Sequence, residues 1–513
     1  VLPERIAPPV PRASARELAL LLSANHPIVF VETAEEERAE ALVDHVAREL
    51  DLLWGVWTAH HGLEFPALGT TVPGTESIDK ALEHVAAART EAVYVFSAAL
   101  DALAEPGVAS RLRDVQRALW RHRGALVVSA PTAYEVPASL LRRATTLRLP
   151  PPTDAEYHEY VSQLLRQAHE RAPIAVRLDA AEVAALIRQL RGLTYQQVRR
   201  VVTLALAEHG LLDARVIAEI HEAKRELLRQ SGVLELAQAD RGLDDVAGNA
   251  GLKAWLATRT SYFADPIEAA RFGLAAPRGL MLLGVPGCGK SLSVRAAARA
   301  FGLPLVRLDP GRLYSKYVGE TEKHLARALA TAEAMAPIVL WIDEIEKAFD
   351  RGAGGGDAGL SQRVFGTFLT WLQEKPDGIV VLATCNDVTG LPPELLRKGR
   401  FDELFFVDLP DAAARRAILA LHLERRRRAP ADFDLDALAA ASEGFSGAEL
   451  EQAVASALYA AFSERATLST KHLAAELAAT RPLSMTMAEP IAALRAWCDG
   501  RTLRADTVRE TPR

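Results

Sequence analysis

Gly284-Val285-Pro286-Gly287-Cys288-Gly289-Lys290-Ser291 fits the phosphate-loop pattern G-x-x-x-x-G-K-[ST]. The apolar run 279–283 before it reads as a buried strand, and 291–301 after it as an Ala- and Arg-rich helix with Leu292 in its first turn. Small residues let successive backbone N–H groups turn around phosphate oxygens, and a helix N-terminus adds partial positive charge. Lys290 is placed to reach the β- and γ-phosphates, and the Ser291 hydroxyl to hold Mg²⁺. A chance match is the alternative, weakened by the flanking strand and helix. The expected ligands are ATP and Mg²⁺.

Hydrolysis needs more than a cradle. Ile338-Val339-Leu340-Trp341-Ile342 is a continuous apolar run of the kind buried on both faces, and it ends in Asp343-Glu344. Ligands of open α/β sheets bind at the carboxyl ends of the strands. Asp343 is therefore expected to hold Mg²⁺ through water, and Glu344 to act as general base on the attacking water. Acidic pairs are common on solvated surfaces; what singles this one out is the strand that it ends.

Working outward, four stretches pair at offsets of about 250 residues, the mark of an internal duplication. Residues 27–33 match the strand before the phosphate loop, 93–96 the strand before Asp343, 124–131 the stretch 378–385, and 140–143 the stretch 395–398. The first copy has Thr33-Ala34-Glu35-Glu36-Glu37-Arg38 where a phosphate loop belongs, and Ser97-Ala98 in place of Asp343-Glu344. Three carboxylates repel phosphate, so this copy is expected to be an inactive fold; an unrelated α/β domain is the alternative. Pro150-Pro151-Pro152 closes its α/β core. The fold class is α/β, with tandem modules of parallel-sheet core plus helical lid, the first degenerate. The expected division is 13–230 for the first module (α/β core to about 149, helical after), 243–410 for the second core, 411–480 for its lid and 481–513 for a C-terminal extension frayed from Thr507.

Composition excludes several classes. The 513 residues are 49 % hydrophobic and 25 % charged, with a net charge of −6, which gives no bulk attraction to nucleic acid or anionic membrane. No apolar run reaches transmembrane length and no secretory h-region is visible, so a cytoplasmic protein is expected. Cys288, Cys385 and Cys498 lack metal-ligand spacing and read as reduced thiols. Cys288 sits inside the phosphate loop, where oxidation could inhibit.

The second half resembles the AAA family of ring-forming ATPases, within the AAA+ class, over about residues 243–481. Leu243-Asp244-Asp245-Val246-Ala247-Gly248 looks like the stretch that opens the family's ATPase domain, whose backbone lies along the adenine. Asn386, ending Ala383-Thr384-Cys385-Asn386, matches the first sensor, and Pro393-Glu394-Leu395-Leu396-Arg397-Lys398-Gly399-Arg400-Phe401-Asp402 matches the arginine-finger segment. The resemblance implies that Arg397 and Arg400 reach a neighbouring subunit's nucleotide, hence a homo-oligomer, a hexamer in this family. Surface ion pairs are their alternative. His422 matches the family's histidine near ribose and base, on resemblance alone, and Gly447-Ala448 its second sensor. Lys316-Tyr317-Val318 fall where the family places the first pore loop, Tyr317 then gripping an extended polypeptide; a half-buried loop residue is the plain reading. Residues 350–359 sit at the second pore-loop position, with an ordinary surface loop as rival.

More finely, the chain looks like the AAA ATPases encoded as hypothetical reading frames in cyanobacterial and algal plastid genomes. The strings carrying that likeness are Arg363-Val364-Phe365-Gly366-Thr367-Phe368-Leu369-Thr370-Trp371-Leu372-Gln373-Glu374 and Pro482-Leu483-Ser484-Met485-Thr486-Met487-Ala488-Glu489. The function implied is ATP hydrolysis in a ring, coupled to remodelling or threading of a protein client or one brought by an adaptor. An ATP-switched scaffold with slow turnover is the second reading. A nucleic-acid motor ranks third, because Arg425-Arg426-Arg427-Arg428 reads as a solvated helix face.

Overall fold

The computed structural model describes residues 6–97, 99–105, 107–132, 136–171, 175–209, 211–213, 216–312, 320–348, 358–397 and 399–508. The chain divides into two compact units: residues 1–231 with 322–335, and residues 232–321 with 336–513.

The first unit holds a seven-stranded sheet. Its strands are β1 (Ile28–Glu32), β2 (Leu53–Thr58), β3 (Gly62–Phe65), β4 (Thr70–Val72), β5 (Ala92–Phe96), β6 (Ala125–Ala130) and β7 (Thr145–Arg148). They lie in the order β4-β3-β2-β5-β6-β1-β7. All neighbours run parallel except the β2-β3 and β3-β4 pairs. Side chains alternate across a strand, and both faces here are apolar. Phe30, Tyr94, Phe96, Leu126 and Val128 join one core with the helices Ile78–Ala87 and Val108–Arg121. Val29, Val31, Val93, Val95 and Val127 join the other with Arg12–Ser23 and Glu36–Glu49. The helices Asp154–Arg171, Ala180–Leu190, Tyr195–His209 and Val216–Ser231 then form a separate core around Tyr157, Tyr160, Tyr195, Val198 and Ile220. A two-stranded pair, β8 (Ala175–Val176) and β9 (Leu211–Leu212), accompanies them.

In the second unit the strands are β10 (Leu234–Ala237), β11 (Gly279–Gly284), β12 (Leu305–Leu308), β13 (Ile338–Ile342), β14 (Ile379–Cys385), β15 (Glu403–Val407) and β16 (Leu503–Arg504). Their order is β10-β12-β13-β14-β11-β15-β16. The stretch β12-β13-β14-β11-β15 repeats β2-β5-β6-β1-β7 position for position, all parallel. In each module the first strand of the series sits between the fourth and the fifth. These are tandem modules of one topology, and only the second carries the phosphate-loop residues. Beyond the sheet, Ala412–Arg425, Leu435–Ala441, Gly447–Ser463 and Thr470–Ala479 bury Leu419, Leu423, Leu450, Val454 and Leu473 against one another.

Helix Ala488–Cys498 leads into β16, which pairs with β15, and Thr507 lies against the backbone at Gly251; residues 509–513 of the end expected to fray lie outside the described residues. Among the described residues, no helix is long and apolar enough to cross a membrane.

Candidate functional site

A cavity of about 880 Å³ opens at the carboxyl ends of β11, β13 and β14. It is lined by Pro286, Gly287, Cys288, Gly289, Lys290, Ser291 and Leu292 from the loop and helix after β11, by Asp343 and Glu344 after β13, and by Asn386 after β14. Asp245, Val246 and Ala247 form another part of its wall, and His422, Gly447 and Ala448 of the helical cluster complete it. Every residue named here was singled out from sequence, and the fold brings them to one place. Gly284 and Val285 differ. They do not line the cavity; their carbonyls face Lys290 instead, whose Nζ donates to both at 2.7 and 2.9 Å. Lys316, Tyr317 and Val318 lie outside the described residues, as do residues 350–357 of the second candidate loop.

The loop's geometry follows from its glycines. Gly287 has φ 76°, a region that side chains disfavour, and a Cβ there would sit 3.0 Å from Ser446 Oγ. The helix Lys290–Phe301 starts with no side-chain cap, so its first N–H groups remain available to a ligand. Lys290 is buried, and burial pulls its pKa down. Its amine is held by its own loop's carbonyls, a preorganised cation.

At the strand ends, the acidic pair is wired to β14. Asp343 Oδ1 accepts from Thr384 Oγ1 at 2.6 Å and from Ser291 Oγ at 3.3 Å, while Oδ2 accepts from Arg307 Nη2 at 3.2 Å. Thr384 Oγ1 also accepts the Glu344 N–H at 2.9 Å. Glu344 takes a left-handed φ of 50°. Its Oε1 accepts from Asn386 Nδ2 at 3.0 Å and its Oε2 contacts Lys347 Nζ. Asn386 N–H in turn donates to Glu346 Oε1 at 3.0 Å.

Thr384, Arg307, Arg241, Arg295, Asp408 and Asp506 were not singled out from sequence, yet Arg307 binds Asp343 and the others line the cavity. Thr384 and Arg307 had a usable signal. Each is the one polar residue that does not end its strand: Thr384 in Ile379–Cys385 and Arg307 in Leu305–Leu308.

The four-arginine run is solvated at Arg427 and Arg428, but its first two members also make contacts. Arg425, although exposed, lines the cavity and donates to Asp245 Oδ1 at 2.6 Å, and Arg426 donates to the His422 carbonyl at 3.2 Å. The Gly242 N–H first, then Arg425, holds the Asp245 carboxyl below its ordinary range. His422 is buried and its pKa is lowered, chiefly by desolvation, which keeps the imidazole neutral at pH 7. Oxidation of Cys288 also loses support, because burial pushes its thiol up to about 12 and thiolate is the reactive form. Arg397 and Arg400 do not line this cavity; Arg400 Nη1 donates to the Glu394 carbonyl.

The cavity gathers a phosphate loop, a buried lysine and an acidic pair, and known proteins resemble the chain that carries it. The chain is 32 % identical over 497 residues to the uncharacterized AAA domain-containing protein ycf46 of Trieres chinensis, covering 95 % of this chain and 97 % of that protein. With its counterpart from Pyropia yezoensis it shares 33 % over 499 residues, 96 % and 99 % of the two chains.

The chain belongs to the AAA ATPase family.

The model of the ATPase family associated with various cellular activities (AAA) matches residues 280–409, and that of the AAA+ lid domain residues 432–475. Residues 14–149 match the N-terminal domain of SpoVK-like AAA ATPases and residues 155–231 their second domain. The AAA part is also 39 % identical over 222 residues to the ATP-dependent zinc metalloprotease FtsH of Acidothermus cellulolyticus, covering 42 % of this chain and 33 % of that protein. Among the described residues, no group of three or more His, Cys, Asp or Glu could hold a metal ion.

Proposed function

We propose that this AAA protein hydrolyses ATP to ADP and phosphate in a ring of identical subunits, a hexamer, and uses the cycle to remodel or thread a protein client. In this reading 13–230 is the inactive module, 243–410 the ATPase core, 411–480 the lid and 481–513 an extension of the core. The observation that carries it is that Glu344, held by Asn386, lines one cavity with the buried Lys290, which opens an uncapped helix.

The donor set fits ATP with Mg²⁺. Ser291 Oγ would be a hard oxygen ligand, with the Asp343 carboxylate 3.3 Å from it to hold the ion through water, and orphan N–H groups of the helix Lys290–Phe301 suit phosphate oxygens. When bound, the ion neutralises charge on the β- and γ-phosphate oxygens. Lys290 exchanges its loop carbonyls for those oxygens. Residues 245–247 and neutral His422 flank base and ribose, and Gly447 and Ala448 bring the lid to the phosphate loop, where Ala448 N–H donates to the Gly287 carbonyl at 3.0 Å. Glu344 orients the attacking water and takes its proton, and Asn386 sets the carboxylate's rotamer. Arg397 and Arg400, outside their own cavity's lining, are assigned to the neighbouring subunit's site, where they stabilise transition-state charge. Lys316, Tyr317 and Val318 are assigned to the client.

The ATP-switched scaffold keeps one observation in its favour. Both Glu344 oxygens are engaged, by Asn386 and Lys347, an arrangement suited to slow turnover. Electron-microscopic imaging of Glu344→Gln with ATP and Mg²⁺ separates the readings. Six-membered rings with an open axis are expected; monomers, filaments or a blocked axis would overturn the remodeller in favour of the scaffold.

A further inference from the structure

The C-terminal stretch returns to the nucleotide cavity. β16 runs parallel to β15, with Leu503 opposite Phe405 and Arg504 opposite Phe406. Ala505, buried at 1 % exposure, donates its N–H to the Phe406 carbonyl at 2.9 Å, and its own carbonyl accepts the Leu252 N–H at 3.0 Å. That second bond matters because of where Leu252 lies. It is in the first turn of the helix Ala250–Ala264, whose opening N–H groups have no partner within the helix. Asn249, ahead of it, has a left-handed φ of 52° and provides no side-chain cap. The tail carbonyl provides the cap instead.

Residues 245–250, which precede and begin this helix, are cavity wall, and Asp506 lines the same cavity. Two ion pairs tie the C-terminal segment to the cavity-lining Asp408: Arg495 grips it through Nε and Nη2 at 2.8–3.0 Å, and Arg504 Nη1 lies 3.9 Å from its Oδ2. Arg504 also holds Asp506 within the tail at 2.7 and 3.1 Å. The approach is close enough to exclude a methyl group. A Cβ on Gly251 would lie 2.1 Å from the Thr507 carbonyl oxygen, although Gly251 itself does not line the cavity.

We propose that the segment 503–507 is a positioning element of the nucleotide site: docked as the outermost strand, it caps the helix Ala250–Ala264 and so holds the wall 245–249 in the shape that grips the nucleotide. This rests on the ATP reading above. The wall contacts the ligand without taking part in proton transfer, so the tail governs affinity and leaves the chemical step alone.

Two full-length variants test it. Gly251→Ala pushes the tail off from the helix side. Ala505→Pro removes the N–H donated to Phe406 and undocks it from the strand side. Each is compared with wild type by hydrogen exchange of 503–507 without nucleotide, by affinity for a fluorescent non-hydrolysable ATP analogue, and by turnover at saturating ATP. Exchange is expected to rise, Kd to weaken about tenfold and kcat to stay unchanged, with the double variant no worse than either single one. If Gly251→Ala does not fold, Ala505→Pro carries the test alone. Raised exchange with unchanged Kd, a fall in kcat at unchanged Kd, or exchange that does not rise would overturn the proposal. Wild type that binds no analogue would overturn the ATP reading and this inference with it; wild-type binding that matches the variants overturns this inference alone.

Discussion

The side-chain amide of Asn386 donates to Oε1 of Glu344 across 3.0 Å, joining the ends of two adjacent strands. A carboxylate fixed in this way has one rotamer from which to meet a water. Asn386→Ala is expected to slow hydrolysis by about ten- to a hundredfold while ATP affinity changes by less than about threefold. Steady-state turnover and equilibrium binding on the same preparation check the split.

Thr384 serves Asp343 as donor and the Glu344 backbone as acceptor through one hydroxyl. Thr384→Val keeps the shape and removes both bonds. Leaving buried partners unpaired costs about 1–3 kcal/mol, so thermal stability should fall and hydrolysis with it. A variant as stable and as active as wild type would remove Thr384 from the site's wiring.

Lys290 is the cation inside the phosphate loop. In Lys290→Met, relief of a desolvated amine opposes the loss of donors to the Gly284 and Val285 carbonyls, so stability without nucleotide should shift by less than about 1 kcal/mol. ATP affinity should drop by about a hundredfold or more. Calorimetric binding beside a melting curve distinguishes a lost ligand contact from a lost fold.

In the first module, Glu35 takes up the loop position by turning inward. Its Oε2 accepts the Tyr195 N–H at 2.8 Å, and burial pushes its carboxyl from 4.5 up to about 7. Between those values the folded state keeps a proton that the unfolded state has released, so the raised pKa stabilises fully below 4.5 and its contribution is lost as pH rises to about 7. The loss amounts to about 3 kcal/mol. Glu35→Gln retains an acceptor without the charge. Its stability difference from wild type should grow in its favour between pH 4.5 and 7 and stay constant above, as measured by denaturant titrations.

Legibility in the sequence followed the range of the interaction. Val29, Val31, Val93 and Val95 announce buried strands because every second residue meets one face and its neighbour the other. The phosphate loop and Asp343-Glu344 were equally legible, since strand, turn and helix are contiguous. The bond of the exposed Arg425 to Asp245 left no such mark, because the partner is 180 residues away. A two-residue strand such as Leu503–Arg504 carries no periodicity at all.

The sequence by itself determined the doubled α/β architecture, the absence of a phosphate loop and of the acidic pair from the first copy, and their presence in the second. These rest on local patterns: apolar runs, small residues at a turn, a lysine and two carboxylates at strand ends. Only the tertiary structure decided that Thr384 wires Asp343 to Glu344, that Arg425 reaches Asp245, and that the tail caps the helix Ala250–Ala264 beside the cavity. Those are pairings across the sheet and between distant segments. A hydrogen bond or ion pair leaves its mark on spacing only when the chain between its partners is short and regular.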